Sequence, residues 1–345
     1  MIAQIHKHWN MVAVYSAIHF FVDFACAFFL FRCIVGTPDS YLCVLLYNFC
    51  AFAMQMPLGI IADKCNRNVF FAILGCVLVG LAYGFVFIPI VAVIIIGIGN
   101  AMFHIGGGID VLNISDKKLS ALGVFVAPGA FGIYYGTMLG KGSDLSLILI
   151  PLALIVAIAL IFVSYKAQKG TYPKNATFSL DGISSLHILI AVLCLFCVVF
   201  LRSFVGLELD FPWKSSGFWG MTLICAVVFG KTIGGFVADQ CGILKTSFVS
   251  LGIATILFLF PTIPLAGLTA VLLFNMTMPI TLWVLAKIFP MAKGFAFGLL
   301  TFGLFLGFLP TYLNVEILPG AFWLFSLLAT GSLALLWMGV RMAKL

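Results

Sequence analysis

The chain is predicted to be an all-α membrane protein with 12 transmembrane helices in two six-helix, pseudo-symmetric bundles. Three observations carry that expectation. First, 63% of its 345 residues are hydrophobic and only 8% are charged, against about 25% charged in an average soluble domain. Second, apolar runs of roughly 20 residues, long enough to cross a bilayer as helix, recur from end to end. The short alternating segments of a β-barrel do not. Third, a long polar, turn-rich connection at 165–185 leaves six runs on each side.

The runs lie at 10–33, 40–62, 69–88, 90–112, 120–140, 144–164, 186–206, 217–239, 244–260, 263–287, 293–314 and 320–340. The expected units are therefore a first bundle over 1–164, a linker over 165–185 and a second bundle over 186–345. The first run has no small-residue cleavage site and is expected to remain as a span. A net charge of +7 is explained by the loops that set topology rather than by a nucleic-acid partner. Lys64, Arg67, Lys117, Lys118, Lys166, Lys169, Lys174, Lys245, Lys287, Lys293 and Arg341 fall on one side, and only Arg32, Lys141 and Lys214 on the other. This bias predicts an inner (plasma) membrane protein with both termini and the linker in the cytoplasm. The glycosylation pattern at Asn175 then falls on the wrong face and is discounted. The ten cysteines lie mostly inside apolar runs, as small buried hydrophobes do. Cys194 and Cys197 share a span, which argues against a redox or metal role for them.

The halves echo each other. Gly59, Ala62, Asp63 and Cys65 follow the second run, and Gly235, Ala238, Asp239 and Cys241 follow the eighth, 176 positions on. At nearly the same offset Asn100, Ile105, Lys118, Ala121, Gly123 and Gly132 meet Asn275, Ile280, Lys293, Ala296, Gly298 and Gly307. Together with the six-plus-six division, this predicts two parallel repeats related by an axis along the membrane normal. Solute sites in such proteins lie between the repeats, near the midplane.

Ionisable side chains inside apolar runs are costly and mark function. His19 and Asp23 are four apart and share a helical face, where the pair can exchange a proton near neutral pH. At 1.5 Å per residue, His19, His104 and Lys231 come to a similar depth, roughly 12–14 Å in, with Asp23 deeper. Charges facing lipid are rare, so convergence on one cavity is expected. His19, Asp23 and His104 form the expected proton-coupling set, and Arg202, Lys231 and Asn100 the expected solute contacts. Plainer readings stand beside these. His19 and Asp23 can form a structural hydrogen bond, His104 can be a packing histidine, Lys231 can snorkel to the surface, and Arg202 can pair with Glu208 or Asp210. Asp63, Lys64, Arg67, Asp110 and Asp239 are expected at a cytoplasmic gate, with carboxylates accepting from helix N-termini and loop cations. Asp110 is expected to join it through Lys117 or Lys118. Gly132, Gly136 and Gly140, four apart after Pro128, predict close helix approach and a kink.

The loops around Asp63 and Asp239 resemble the signature of the major facilitator superfamily. That signature reads roughly G-x-x-x-D-R-x-G-R between helices 2 and 3, with a degenerate copy between helices 8 and 9. Lys64 and Arg67 fill basic positions of the first copy, whereas Asn66 and Gln240 depart from the pattern. His19 with Asp23, Asn100 with His104, and Arg202 resemble more narrowly the fosmidomycin-resistance branch. Its helix 4 usually has proline after the histidine, where this chain has Ile105 followed by Gly106, Gly107 and Gly108. The resemblance implies two bundles that rock around a central site. The glycines of the fifth run loosely resemble the helix-5 motif of drug antiporters, which implies export.

The expected function is secondary active transport of a small organic solute, with protons as coupling ion. An anionic solute is expected if Arg202 and Lys231 face the cavity. Export by antiport is the leading direction, and import by symport uses the same parts. Membrane lipids are the remaining partner, the chain is expected as a monomer, and no nucleic acid or cofactor is expected. The other class is a non-transporting sensor, or an intramembrane enzyme holding a metal on His19, His104 and Asp23. P-loop, haem, zinc-spacing and nucleophile-elbow motifs are absent from the sequence, so ATP hydrolysis is not expected and the chain is read as a non-enzyme.

Overall fold

The computed structural model describes residues 2–115, 118–167, 177–180, 185–214, 217–315 and 320–344. Lys117, Lys169, Lys174 and Asn175 lie outside the described residues, and so does most of the linker.

Twelve helical spans form among the described residues. In the first half they are α1 (Ile2–Phe29), α2 (Ser40–Asn48 and Gln55–Cys65), α3 (Asn68–Ala82), α4 (Pro89–Ile114), α5 (Ser120–Val126 and Gly129–Gly142) and α6 (Leu149–Ala167). In the second they are α7 (Leu186–Glu208), α8 (Gly217–Cys241), α9 (Ile243–Leu257), α10 (Pro264–Asn275 and Met278–Ile288), α11 (Lys293–Tyr312) and α12 (Phe322–Met342). Eleven spans are long and apolar enough to cross a membrane, and α9, with 15 residues, is the shorter twelfth.

The spans fall close to the expected runs, with three local departures. Residues 143–148 carry Ser143, Asp144 and Ser146 and form no helix, so α6 starts at Leu149 rather than near 144. Single π turns occupy Leu30–Ile34 at the end of α1 and Phe49–Ala53 within α2. Both α5 and α10 are broken. In α5 the break is the expected one at Pro128: Ala130 N–H turns to Ala127 O instead of continuing the ladder, because proline donates nothing and its ring crowds the preceding turn. In α10 the break at Met276–Thr277 precedes Pro279 in the first turn of the next segment, where a missing N–H costs little. The apolar run continues through it, so periodicity alone does not reveal it.

The glycines of α4 set its packing. A Cβ at Gly99 would meet the backbone of Val79 and Gly75 at 2.7 and 2.9 Å, and one at Gly106 would strike Ala72 and Asn68. Without side chains there, α4 lies directly on α3, and nearly every residue from Gly97 to Leu112 except Ile98 is buried. This close approach places Asn100, His104 and Asp110 inside the bundle rather than at its surface.

At the end of the molecule that carries Asp63 and Asp239, the two halves clasp each other by a pair of matching contacts. Asp63, at the end of α2, accepts from Gly294 N and Phe295 N, each at 2.9 Å, at the start of α11. Asp239, at the end of α8, accepts from Leu119 N at 2.6 Å and Ser120 N at 3.0 Å, at the start of α5. A carboxylate at a helix N-terminus satisfies free backbone donors and meets the positive end of the dipole. Close backbone contact accompanies each pair: a Cβ at Gly59 would strike the Gly294 carbonyl, and one at Gly235 would lie 2.9 Å from the Leu119 carbonyl. The sequence repeat is thus expressed as a matched pair of contacts in which each half caps a helix of the other. At the far end of the α2–α11 seam, Tyr41 and Tyr312 stack at 4.2 Å and each hydroxyl donates to the other's carbonyl.

Candidate functional site

Three ionisable residues predicted to converge do so. His19 and Asp23 lie one turn apart on α1, and His104 approaches from α4; all are buried. His19 Nε2 lies 3.2 Å from Asp23 Oδ2, and His104 Nε2 lies 3.6 Å from Asp23 Oδ1. The two Nε2 atoms are 2.9 Å apart.

Backbone carbonyls fix the tautomers. His19 Nδ1 lies 2.7 Å from Phe125 O, and His104 Nδ1 lies 2.8 Å from Asn100 O. A carbonyl only accepts, so both Nδ1 atoms carry hydrogen. A neutral ring then has a bare lone pair at Nε2, and two such lone pairs at 2.9 Å repel. One additional proton between them removes the conflict: one ring becomes imidazolium and donates to the other, and the Asp23 carboxylate supplies the balancing charge. Asn100 Nδ2 donates to Asp23 Oδ1 at 2.9 Å and holds that carboxylate in place.

The neighbouring backbone explains why this can happen. The break in α5 frees the Phe125 and Val126 carbonyls. His19 takes the first, and Lys231 of α8 donates to the second at 3.4 Å. Gly129 follows the break; any side chain there would press on Asp23 Oδ2 and His19 Nε2.

A cavity of about 450 Å³ lies between the halves and is lined by His19, Asp23, His104, Arg202 and Lys231 among apolar residues. It extends past Leu209 and Phe211 to the half-exposed Lys214. The clamped end closes the other side. Arg202, on α7, is buried and donates to Thr277 Oγ1 at 3.1 Å and Thr281 Oγ1 at 3.4 Å on α10. It pairs with neither Glu208 nor Asp210; Asp210 instead meets Lys214 at 3.4 Å. Lys231 points inward to the cavity rather than snorkelling to the surface.

Three expected residues take other places. Asn100 is 1% exposed and does not line the cavity; its contacts make it a support for Asp23 and His104 rather than a solute contact. Lys117, one of the two lysines expected to link Asp110 to the gate, lies outside the described residues, and Asp110 itself is fully buried. It accepts from Tyr15 at 2.7 Å and Asn68 at 2.9 Å, tying α1, α3 and α4 together within one half. Lys64 and Arg67 are exposed beside the clamp, and the Lys64 ammonium stands 5.2 Å above the Phe178 ring. The clamp uses the expected helix N-terminal donors, and among the described residues Lys64 and Arg67 form no ion pair with its carboxylates.

Thr277, Thr281, Gly129 and the two freed carbonyls were not foreseen as parts of the site. Pro128 was the available signal for the carbonyls, and the one-turn spacing of Thr277 and Thr281 for the threonines. His19, Asp23 and His104 also form the one group of potential metal ligands among the described residues, with one donor atom each, all within 4.8 Å.

No protein-family model matches the chain, and no curated protein does. Solved structures do. A major facilitator superfamily transporter, FucP, in the outward conformation matches with a TM-score of 0.66 at 15% identity, over 98% of this chain and 99% of that one. The E. coli fucose:proton symporter FucP matches at 0.62 and 13% identity, over 95% and 98%. A bacterial homologue of the iron transporter ferroportin, outward-facing with soaked iron, matches at 0.62 and 14% identity, over 99% and 98%. With two six-helix bundles, gates related by the repeat, a cavity between them and these structural likenesses over nearly its full length, the chain has the major facilitator fold.

Proposed function

We propose that the protein is a proton-coupled secondary transporter that moves a small organic solute by alternating access. The observation that carries this reading is the 2.9 Å contact between His19 Nε2 and His104 Nε2, with both Nδ1 atoms already donating to carbonyls. That arrangement calls for one additional proton, on the wall of the cavity between the two halves. Taking up or releasing it changes the charge of the site and so biases the equilibrium between the two orientations of the halves. Asp23 is the counter-charge, and Asn100 and the Phe125 carbonyl hold the group in register. Arg202 and Lys231 are the solute contacts.

The clamped end is the cytoplasmic one by the distribution of lysine and arginine, so the cavity faces outward in this state. The similarity to a fucose:proton symporter supports protons as the coupling ion. Export by exchange and import together with protons are both open to these parts; the α5 glycines bear only loosely on the first, and the charge of the cavity wall bears on the second. The metal-enzyme reading is weaker, because Arg202 and Lys231 on the same cavity repel a dication.

The test uses reconstituted vesicles with an imposed pH gradient and a panel of labelled organic solutes. Wild-type protein accumulates or expels a member of the panel in response to the gradient, and Asp23→Asn abolishes that response. Solute movement by Asp23→Asn with undiminished pH dependence would refute proton coupling at this site.

A further inference from the structure

We propose that the cavity takes an organic anion with an apolar body, and takes it together with the proton rather than in exchange for it. The inference rests on the proton-coupled reading of His19, Asp23 and His104.

The cavity wall carries more positive than negative charge. Asp23 is the one acidic residue on the cavity wall, and it is already engaged by His19, His104 and Asn100. Arg202 donates only to threonine hydroxyls, and Lys231 only to one backbone carbonyl. The buried Arg202 and the partly buried Lys231 therefore stand without an ion-pair contact to a carboxylate among the described residues. Buried charges are normally paired, and a guanidinium matches the planar oxygens of a carboxylate. The remaining wall is largely aliphatic and aromatic, including Phe52, Phe211, Phe258, Phe274 and Phe297. Such a wall suits an apolar body and offers little to a small, strongly hydrated anion.

The order of loading follows. Exchange at one site requires that proton and solute oppose each other. Here an additional proton at the histidine pair adds positive charge to the cavity wall, which attracts an anion. Lys231 and His19 hang on successive carbonyls of the α5 break, so the two charges are close neighbours. The groups facing this proton are Asp23 and His19 on α1, His104 on α4, Lys231 on α8 and Arg202 on α7. Cys26 is reached through Asn100 at 3.5 Å, and Tyr47 of α2 contacts Cys26. Every cation in that set favours the anion, and the sole carboxylate is neutralised by the proton.

The test is calorimetric binding of 2-naphthoate and benzoate to the purified full chain, in two buffers of different ionisation enthalpy so that protons are counted. 2-Naphthylmethylamine and inorganic phosphate are the comparators. The carboxylates are expected to bind saturably; above the pH at which the free histidine pair loses its proton they bind with proton uptake and weaken about tenfold per pH unit, and below it they bind with none. Arg202→Gln lowers affinity at least tenfold, while Arg202→Lys retains most of it, which separates charge from folding. His104→Gln binds more weakly, without proton uptake and with a flattened pH dependence. Equal or tighter binding of the amine, saturation by phosphate, or no binding of either carboxylate overturns the anion site. Proton release on binding, or pH-independent binding without proton uptake above the pH at which the free pair loses its proton, overturns joint loading. Because binding is read without a gradient, failure of gradient-driven transport with binding intact would refute the proton-coupled reading and not the anion site.

Discussion

Asp63→Asn should unlock the clamped end, and the size of the effect follows from its contacts. Asp63 is 4% exposed and accepts two backbone N–H bonds at 2.9 Å. A hydrogen bond to a charged group contributes about 1.5–3 kcal/mol net. Asparagine keeps one acceptor but turns an N–H toward the second donor, so roughly 2–3 kcal/mol of support for the clasped state is lost. At about 1.4 kcal/mol per factor of ten, the equilibrium moves roughly 30–150-fold toward the state open at that end. Asp239→Asn, which breaks the matching contact on the other seam, should act in the same direction. The two sites share no contacts, so their effects should add. Cys65 and Cys241 are exposed at the ends of α2 and α8, one in each half. Spin labels on them, with Cys33, Cys197 and Cys225 replaced by serine, read the separation. A longer component should appear in each single variant and dominate in the double variant. An unchanged distance distribution in a stably folded double variant would refute the clamp as the element that holds this end shut.

Three further outcomes follow from the same contacts. Gly129→Ala presses a methyl against Asp23 and His19; overpacking of this kind costs about 1–3 kcal/mol, and solute-driven proton flux should fall at least tenfold, read with a pH dye inside vesicles. Asp110→Asn should lower the melting temperature in detergent, by about 2 kcal/mol of stability from weakened bonds to Tyr15 and Asn68, while the Cys65–Cys241 distances stay unchanged. Pro128→Ala allows α5 to heal and compete for the Phe125 and Val126 carbonyls, so it should impair proton coupling and leave the clamp distances as they are.

Much of this was readable from the chain. The repeat placed Asp63 and Asp239 at equivalent helix ends, and their opposite-half partners obey nearly the same offset: 294 − 119 and 295 − 120 are each 175. Depth arithmetic brought His19, Asp23 and His104 together. Depth does not report which way a side chain points. Asn100 was misplaced for that reason: it is a polar group in a helix whose glycines turn it inward against α3, where it serves Asp23 and His104 instead of the cavity. Backbone acceptors were the other blind spot. Phe125 and Val126 look like ordinary apolar residues in sequence, yet their carbonyls decide the tautomer of His19 and the aim of Lys231. At the gate the helix N-terminal donors were expected, but which helix each carboxylate caps is not written in the loops, and Lys64 and Arg67 stand beside the clamp rather than in it.

The claim that most of this account depends on is a shared proton at the histidine pair. Nitrogen-15 NMR of histidine-labelled protein reads it directly, with His6, His8 and His187 replaced so that only His19 and His104 report. At pH 6–7 one imidazolium and one ring protonated at Nδ1 alone are predicted, and Asp23→Asn should remove the imidazolium signal. Two neutral rings throughout that range, or a ring whose Nδ1 is bare, would contradict it.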